Sequence, residues 1–428
     1  MAKKRLLLIT INYWPELTGI GKYNGEMAEW LVEQGWDVRV ITAPPYYPAW
    51  RISKNYCGWR YHRETVRGVA ITRCPLWVPT RLNGLKRILH LMSFALNAFP
   101  VILWQAWKWR PDVVFTVEPP LFCAPAALLG AWLGKAQSWL HVQDFEMDAA
   151  FELGILHSKR LRRLICAGER LLMGRFDRVS TISDRMMERL QQKKVAESRR
   201  LLFQNWVDLE SIRPLKGISP LRAEWGVKDS EIVILYSGNI GEKQGLEVLF
   251  EAARKLQRQT ELVFLVCGDG AARLRLERLA EGITNLQFKP LQPAERLNDL
   301  LNLADIHVLP QRADAADLVL PSKLTNMLAS GRPVVATAKE GTQVGDLVRD
   351  CGLVVPPGDS AVLSEALSTL AQSRELRHTL GLNARVLAER LWDKNRLLSQ
   401  SFGKLLLTES VPAKKASRTV AKAATVPL

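Results

Sequence analysis

With 428 residues, 47% of them hydrophobic and 24% charged, the chain has the composition of an ordinary globular protein long enough for two or three full cores. Its 59 Lys and Arg against 43 Asp and Glu give +16, an excess that favours an anionic partner: nucleic acid, a phosphorylated ligand or an anionic membrane face. Six scattered cysteines, with no CxxC and no His/Cys cluster, argue against a zinc site or a disulfide frame and for a reducing cytoplasm.

Met1-Ala-Lys-Lys-Arg5 followed by an apolar run resembles the start of a signal peptide. The run meets Asn12 at once and no small-residue cleavage site follows, so it reads as a first buried strand. Short, near-continuous runs of Val, Ile, Leu and Phe predict strands at 5–11, 37–43, 113–118, 138–144, 178–183 and 201–205. Tyr23, Met27, Trp30 and Leu31 mark an amphipathic helix between the first two. A second series predicts strands at 232–237, 262–267, 286–290, 306–310, 334–337 and 353–355. Two such series make an α/β protein of two doubly wound parallel-sheet (Rossmann-like) domains facing a cleft, with ligands outside the carboxyl ends of the strands. The expected organisation is domain 1–205, linker 206–230, domain 231–385, a C-terminal helix 386–406 and a disordered basic tail 407–428.

Residues 88–107 carry no formal charge, a length that could cross a bilayer. His90, Asn97, Pro100 and Gln105 interrupt the run, and a span there would put the two halves of one sheet on opposite sides of the membrane. Two readings remain: a buried crossover helix, or a helix dipping into a membrane surface, since Trp104, Trp107, Trp109 and bases sit at its end. A basic amphipathic stretch at 158–175 belongs to the same domain.

Three glycine-rich features sit at strand ends. Gly19-Ile-Gly21-Lys22 lets backbone approach a ligand but departs from a dinucleotide fingerprint, with Asn24 at the third glycine position. Gly238-Asn239 through Lys243 to Gly245 forms a candidate diphosphate loop without the Walker lysine pattern, and Gly268-Asp-Gly270 extends the rim. Pro321-Ser322-Lys323 opens a short helix that Gly331 ends; a lysine in a first turn opposes the helix dipole unless a phosphate lies between them. The other reading of Lys323 is a solvated lysine. His141 and Asp144 close a strand whose carboxyl end faces the cleft, His141 being either a functional residue or a core histidine. No Asp-x-Asp triplet offers a metal-bridged diphosphate site, no cofactor is indicated, and no nucleic-acid motif accompanies the basic residues.

The order of these motifs resembles the retaining glycosyltransferases of family 4, with the GT-B fold: glycine loop, His-x-x-Asp, Asn205-Trp-x-Asp208, Ser237-Gly-Asn-Ile-Gly-x-x-Gln-Gly245, then Pro321-Ser-Lys-Leu-x-x-x-Leu-Ala-x-Gly-x-Pro333. The likeness runs to about residue 405. It implies transfer of a hexosyl group, fucose from GDP-fucose by expectation, from a nucleotide diphosphate sugar to a polyprenyl-diphosphate-linked saccharide in colanic-acid-type exopolysaccharide assembly. Such an enzyme would be metal-independent, cytoplasmic, and peripheral on an anionic membrane surface at the inner face of the plasma membrane. By the same likeness the first domain takes the acceptor and the second the donor. Lys323 and Lys243 would neutralise the diphosphate beside Gly238, Gly268 and Ser322, His141 would contact the donor sugar and form the catalytic pair with Asp144, and Gly19, Gly21 and Lys22 would face it. The chain departs from the family's Glu-x7-Glu, with Leu318 and Asn326 at those positions, and from Gly-Arg, with Gly238-Asn239. Asn326 offers an amide to a ribose hydroxyl, and Asp314 or Asp317 is a displaced carboxylate candidate. The missing acidic pair also admits a non-catalytic nucleotide-sugar-binding protein, and the fold admits a nucleotide-sugar epimerase.

Overall fold

A computed structural model of the chain describes residues 3–16, 19–80, 83–145, 159–312 and 322–407. Asp314, Asp317, Leu318, Pro321 and the tail from 408 onward lie outside the described residues, as do the side chains of Lys243 and Ser322.

The first sheet is built from β1 (Arg5–Ile9), β2 (Asp37–Thr42), β3 (His62–Val66), β4 (Val69–Arg73), β5 (Val113–Glu118), β6 (Gln137–Val142), β7 (Arg178–Thr181) and β8 (Arg200–Leu202). Its order is β3-β4-β2-β1-β5-β6-β7-β8, parallel apart from the β3–β4 pair. β5 is buried at every position, as a run of Val-Val-Phe-Thr-Val demands when helices cover both faces. Because β1 lies between β2 and β5, the chain reverses direction across the sheet there, and the loop after β1 opens into a crevice.

The second sheet repeats this plan with β9 (Ile232–Ser237), β10 (Leu262–Cys267), β11 (Leu286–Lys289), β12 (Ile306–Leu309), β13 (Val334–Thr337) and β14 (Gly352–Val355), all parallel in the order β11-β10-β9-β12-β13-β14. Its reversal falls at β9, so the loop beginning at Gly238 takes the place that the Gly19 loop holds in the first sheet.

Three features depart from the sequence reading. The β3–β4 hairpin has no counterpart in it. Arg67 and Gly68 turn this hairpin with φ of 49° and 79°, the two-residue geometry that matches strand twist, yet β3 itself is polar and largely exposed. The crossover helix is longer than 88–107 and runs Gly84–Trp109, capped by the Asn83 side chain, which accepts from the Lys86 N–H. It is apolar and long enough to cross a membrane, but His90, Phe94, Ala98, Ile102 and Ala106 are buried in the first domain. Its opposite side leaves Leu85, Leu89, Met92, Leu96, Phe99 and Trp107 exposed.

The third departure is the C-terminal helix. Helix Arg374–Trp392 packs on the second domain, the chain breaks at Asp393, and helix Lys394–Leu407 returns to the first sheet. There Phe402 packs against Trp139, Phe203, Phe115 and Trp36, with ring centres 5.3, 6.0, 6.1 and 6.1 Å away. The two crossings between the domains lie side by side: Val207 N–H donates to the Trp392 carbonyl at 2.8 Å, and Lys394 pairs with Asp208 at 2.5 Å.

Candidate active site

Between the two sheets lies a cavity of about 430 Å³. Gly19, Lys22, Tyr23 and Glu26 line it from the first domain, Asp208 and Ile212 from the linker, and Ser237, Gly238, Cys267, Gln292, Lys323 and Asn326 from the second.

The second-domain wall is glycine-built for a steric reason. Gly238 and Gly268 have φ of 136° and 151°, and a Cβ on Gly268 would stand 1.9 Å from the Gly238 carbonyl oxygen. Gly270 sits the same way against Ile240, and the two loops are tied by Gly238 N–H to Cys267 O and Ile240 N–H to Asp269 O, at 2.9 and 2.8 Å. Beneath this rim enters Lys323, from the first turn of helix Ser322–Ala329. Its Nζ donates to the Tyr236 hydroxyl at 2.9 Å and lies 4.5 Å from the centre of that ring. The Tyr236 hydroxyl in turn donates to the Asn239 carbonyl at 2.6 Å. Burial with no acidic partner among the described residues pushes the Lys323 ammonium down to about 8. Three residues on, Asn326 Oδ1 is buried and accepts no hydrogen bond among the described residues. Among the described residues, a largely buried cation without a counter-anion and an unused buried acceptor share one wall. That wall suits an anionic, hydroxyl-bearing ligand.

The first-domain wall is held by groups to which the sequence reading assigned no role. Glu16 Oε1 accepts from the Tyr46 and Tyr47 N–H groups at 3.0 and 2.9 Å, and Oε2 from Asn12 Nδ2 at 2.8 Å. Burial raises the Glu16 pKa above the usual carboxylate value, opposed by these hydrogen bonds. Arg73, fully buried at the end of β4, donates to the carbonyls of Ala43 and Trp14 at 3.0 and 2.8 Å and to Glu64 at 2.6 Å. Glu16 stood in plain sight in Pro15-Glu-Leu-Thr-Gly19, whereas Arg73 is distant in sequence from both loops that it holds.

The predicted residues separate into two groups. Gly19, Lys22, Gly238, Lys323 and Asn326 line the common cavity, and Gly268 backs its rim. Gly21 faces Glu16 instead, where a Cβ would come within 2.8 Å of the glutamate Cβ. Asn239 is exposed beside the rim and is not among the cavity-lining residues. His141 and Asp144 do not line the cavity either. Of the two readings of His141, the structure places it in the core: Nε2 accepts from Gln143 at 3.0 Å, Nδ1 donates to Ser180 Oγ at 2.8 Å, and Phe115 and Phe203 flank the ring. Burial pushes its pKa down to about 3, so it is neutral with both nitrogens engaged. Asp144 follows β6 and is exposed. The expected catalytic pair is thus one core histidine and one surface carboxylate.

Two parallel-sheet domains facing one cleft, each with a glycine loop at its central strand, define the GT-B class of glycosyltransferases. Residues 18–206 match the glycosyl transferase 4-like domain and residues 218–387 the glycosyl transferases group 1 domain. The chain is 44% identical over 409 residues to the colanic acid biosynthesis glycosyl transferase WcaI of Escherichia coli (strain K12), covering 92% of this chain and 98% of that one. Sucrose-phosphate synthase from Thermosynechococcus elongatus shares the fold at TM-score 0.70 and 20% identity, over 94% of this chain and 98% of that one. Anabaena HepE, solved with UDP and glucose, shares it at 0.66 and 14%, over 95% and 100%. The chain belongs to the family 4 glycosyltransferases and is an enzyme of that kind.

Proposed function

We propose that this enzyme transfers a hexosyl group, fucose from GDP-fucose, to a polyprenyl-diphosphate-linked saccharide in assembly of a colanic-acid-type exopolysaccharide. The observation that carries the donor half is Lys323: a buried ammonium on a neutral tyrosine, under a rim of glycines, is the environment that a leaving diphosphate would occupy. The relation to WcaI supports the pathway. In this reading the reaction retains configuration and needs no metal. The departing phosphate takes the acceptor proton, and Lys323 stabilises the charge that grows on the leaving group.

The enzyme would work from the cytoplasm, peripheral on the inner face of the plasma membrane. Leu85, Leu89, Met92, Leu96, Phe99 and Trp107 form an exposed apolar stripe along the Gly84–Trp109 helix. The Lys159–Met173 helix adds exposed Leu164 and Leu171, which directly follow Arg163 and Arg170. Apolar side chains flanked by bases suit an anionic lipid surface.

The test is one panel: purified protein, GDP- and UDP-sugars, lipid-linked saccharide acceptors, and release of nucleoside diphosphate. Acceptor-dependent release of GDP from GDP-fucose is the expected outcome; release from UDP-sugars alone would overturn the donor assignment. Asn326, at a position where the family carries glutamate, motivates a second reading, a protein that binds nucleotide sugar without transfer. Binding without release on adding every acceptor would favour it, and product without acceptor would mark an epimerase.

A further inference from the structure

The two walls of the cavity differ in how they are held. Lys323 and the glycine rim make the second-domain wall, while the first-domain wall, the start of helix Gly19–Glu33, is met at Gly19 by a loop that belongs to no strand or helix. That loop, from Ala43 to Trp50, touches two things at once. On its outer side Tyr46 and Trp50 pack on His90, with ring centres 4.8 and 5.3 Å away, and His90 is on the inner face of the helix whose outer face carries the apolar stripe. On its cleft side Tyr47 reaches Gly19, where a Cβ would stand 3.9 Å from the tyrosine ring, and Gly19 lines the cavity. The loop thus links the inner face of the striped helix to the Gly19 end of the cavity.

Glu16 fixes the loop. Its carboxylate is 5% exposed, and both of its oxygens are committed, Oε1 to two consecutive loop N–H groups and Oε2 to Asn12. Arg73 fastens the same pair of segments from behind through Ala43 O and Trp14 O. The arrangement is reciprocal: the β1 loop supplies the acceptor for the Tyr46-Tyr47 N–H groups, and β4 supplies the donors for a carbonyl of each segment. We infer that Glu16 is a positioning residue for the acceptor, holding the Tyr46-Tyr47 backbone against the Gly19 end of the cavity so that the lipid-linked substrate is seated opposite Lys323. This rests on the proposed donor at Lys323 and on a lipid-linked acceptor.

A group that seats only the acceptor changes the acceptor KM and leaves donor affinity alone. Four proteins are compared with GDP-fucose and lipid-linked saccharide: wild type, Glu16→Ala, Glu16→Gln and Tyr47→Ala. The expected result for Glu16→Ala is an acceptor KM raised about tenfold or more, with GDP affinity by calorimetry within about twofold of wild type. Glu16→Gln keeps an oxygen for the two N–H groups and restores most of the loss, which a missing buried charge alone would not do. Tyr47→Ala, at a residue 43% exposed and so without threat to folding, raises the acceptor KM in the same direction. An unchanged acceptor KM in Glu16→Ala and Tyr47→Ala, or a GDP affinity that falls as far as the acceptor KM rises, overturns the inference. So does a lowered melting temperature in Glu16→Ala with unchanged KM. If Glu16→Ala does not fold, Tyr47→Ala and Glu16→Gln decide it. A wild-type enzyme that ignores lipid-linked acceptors overturns the proposed function itself, whereas an active wild type with indifferent variants overturns only the role of Glu16.

Discussion

Lys323 Nζ donates to the Tyr236 hydroxyl at 2.9 Å and lies over that ring, so the buried cation of the donor wall is held by a neutral partner. Tyrosine gives direction without compensating the charge. An arriving diphosphate therefore meets an ammonium whose field no acid among the described residues cancels. Lys323→Met should lower kcat/KM by about a hundredfold or more, the order of 2–4 kcal/mol expected for losing one donor to a developing anion. Steady-state release of GDP checks this; turnover unchanged at saturating donor would remove Lys323 from the chemistry.

The same lysine gives a signed pH prediction. Its pKa is pushed from the ordinary 10.5 down to about 8, so between these values the unfolded chain binds more protons than the folded one. Stability of the unliganded protein from this group therefore rises with pH across that window. Lys323→Met removes the cost of burying the charge and should be more stable than wild type at pH 7, by at most about 3 kcal/mol, the gap closing as pH approaches 10. A diphosphate restores the lysine pKa, so GDP binding near pH 8 should take up protons. Calorimetry in two buffers of different ionisation enthalpy would show uptake in wild type and none in the variant.

Gly268 tests the rim. Its φ of 151° and the carbonyl of Gly238, 1.9 Å from a notional Cβ, leave no room for a methyl group, and the obstacle is backbone. Gly268→Ala should cost about 3 kcal/mol or more and abolish GDP binding. Gly168→Ala, in a helix with nothing within 4 Å, should be neutral or slightly stabilising. Melting temperatures of both variants with and without GDP make the comparison.

Phe402 tests the returning helix. Its ring fills a gap among Trp36, Phe115, Trp139 and Phe203, so Phe402→Ala should destabilise the first domain by about 3–5 kcal/mol although it lies in the last described helix. Denaturant unfolding measures this, and a loss under about 1 kcal/mol would mean that the aromatic cluster closes up without it.

The membrane surface makes a separate prediction. Leu89→Glu with Leu96→Glu should cut flotation with anionic vesicles and leave the melting temperature unchanged, because both side chains already face solvent. Undiminished flotation would place the contact elsewhere on the molecule.

Much of the fold was legible because parallel strands covered on both faces are written as apolar runs. β9, β10 and β13 begin and end where Ile232, Ser237, Leu262, Cys267, Val334 and Thr337 predicted. β3 escaped because it is polar and exposed, carrying no such run. The donor wall was half legible: the glycines and Lys323 stand out by type and position. Tyr236, 87 residues away, does not. His141 stayed open between two readings because a histidine at a strand's carboxyl end looks the same in sequence whether it faces a cleft or is enclosed, as here, by Phe115, Phe203 and Gln143.

What the chain's order of residues determined by itself was the alternation of buried strands and amphipathic helices, the two glycine loops at central strands, and the helix begun by Ser322-Lys323. These depend on local periodicity and backbone freedom. Tertiary structure alone decided that Glu16 and Arg73 fasten the Tyr46 loop, that Phe402 returns to the first domain, and that Lys323 is largely enclosed on Tyr236, with no acidic partner among the described residues. Each depends on groups brought together across tens of residues or more, where burial and pairing, rather than residue type, fix charge and role.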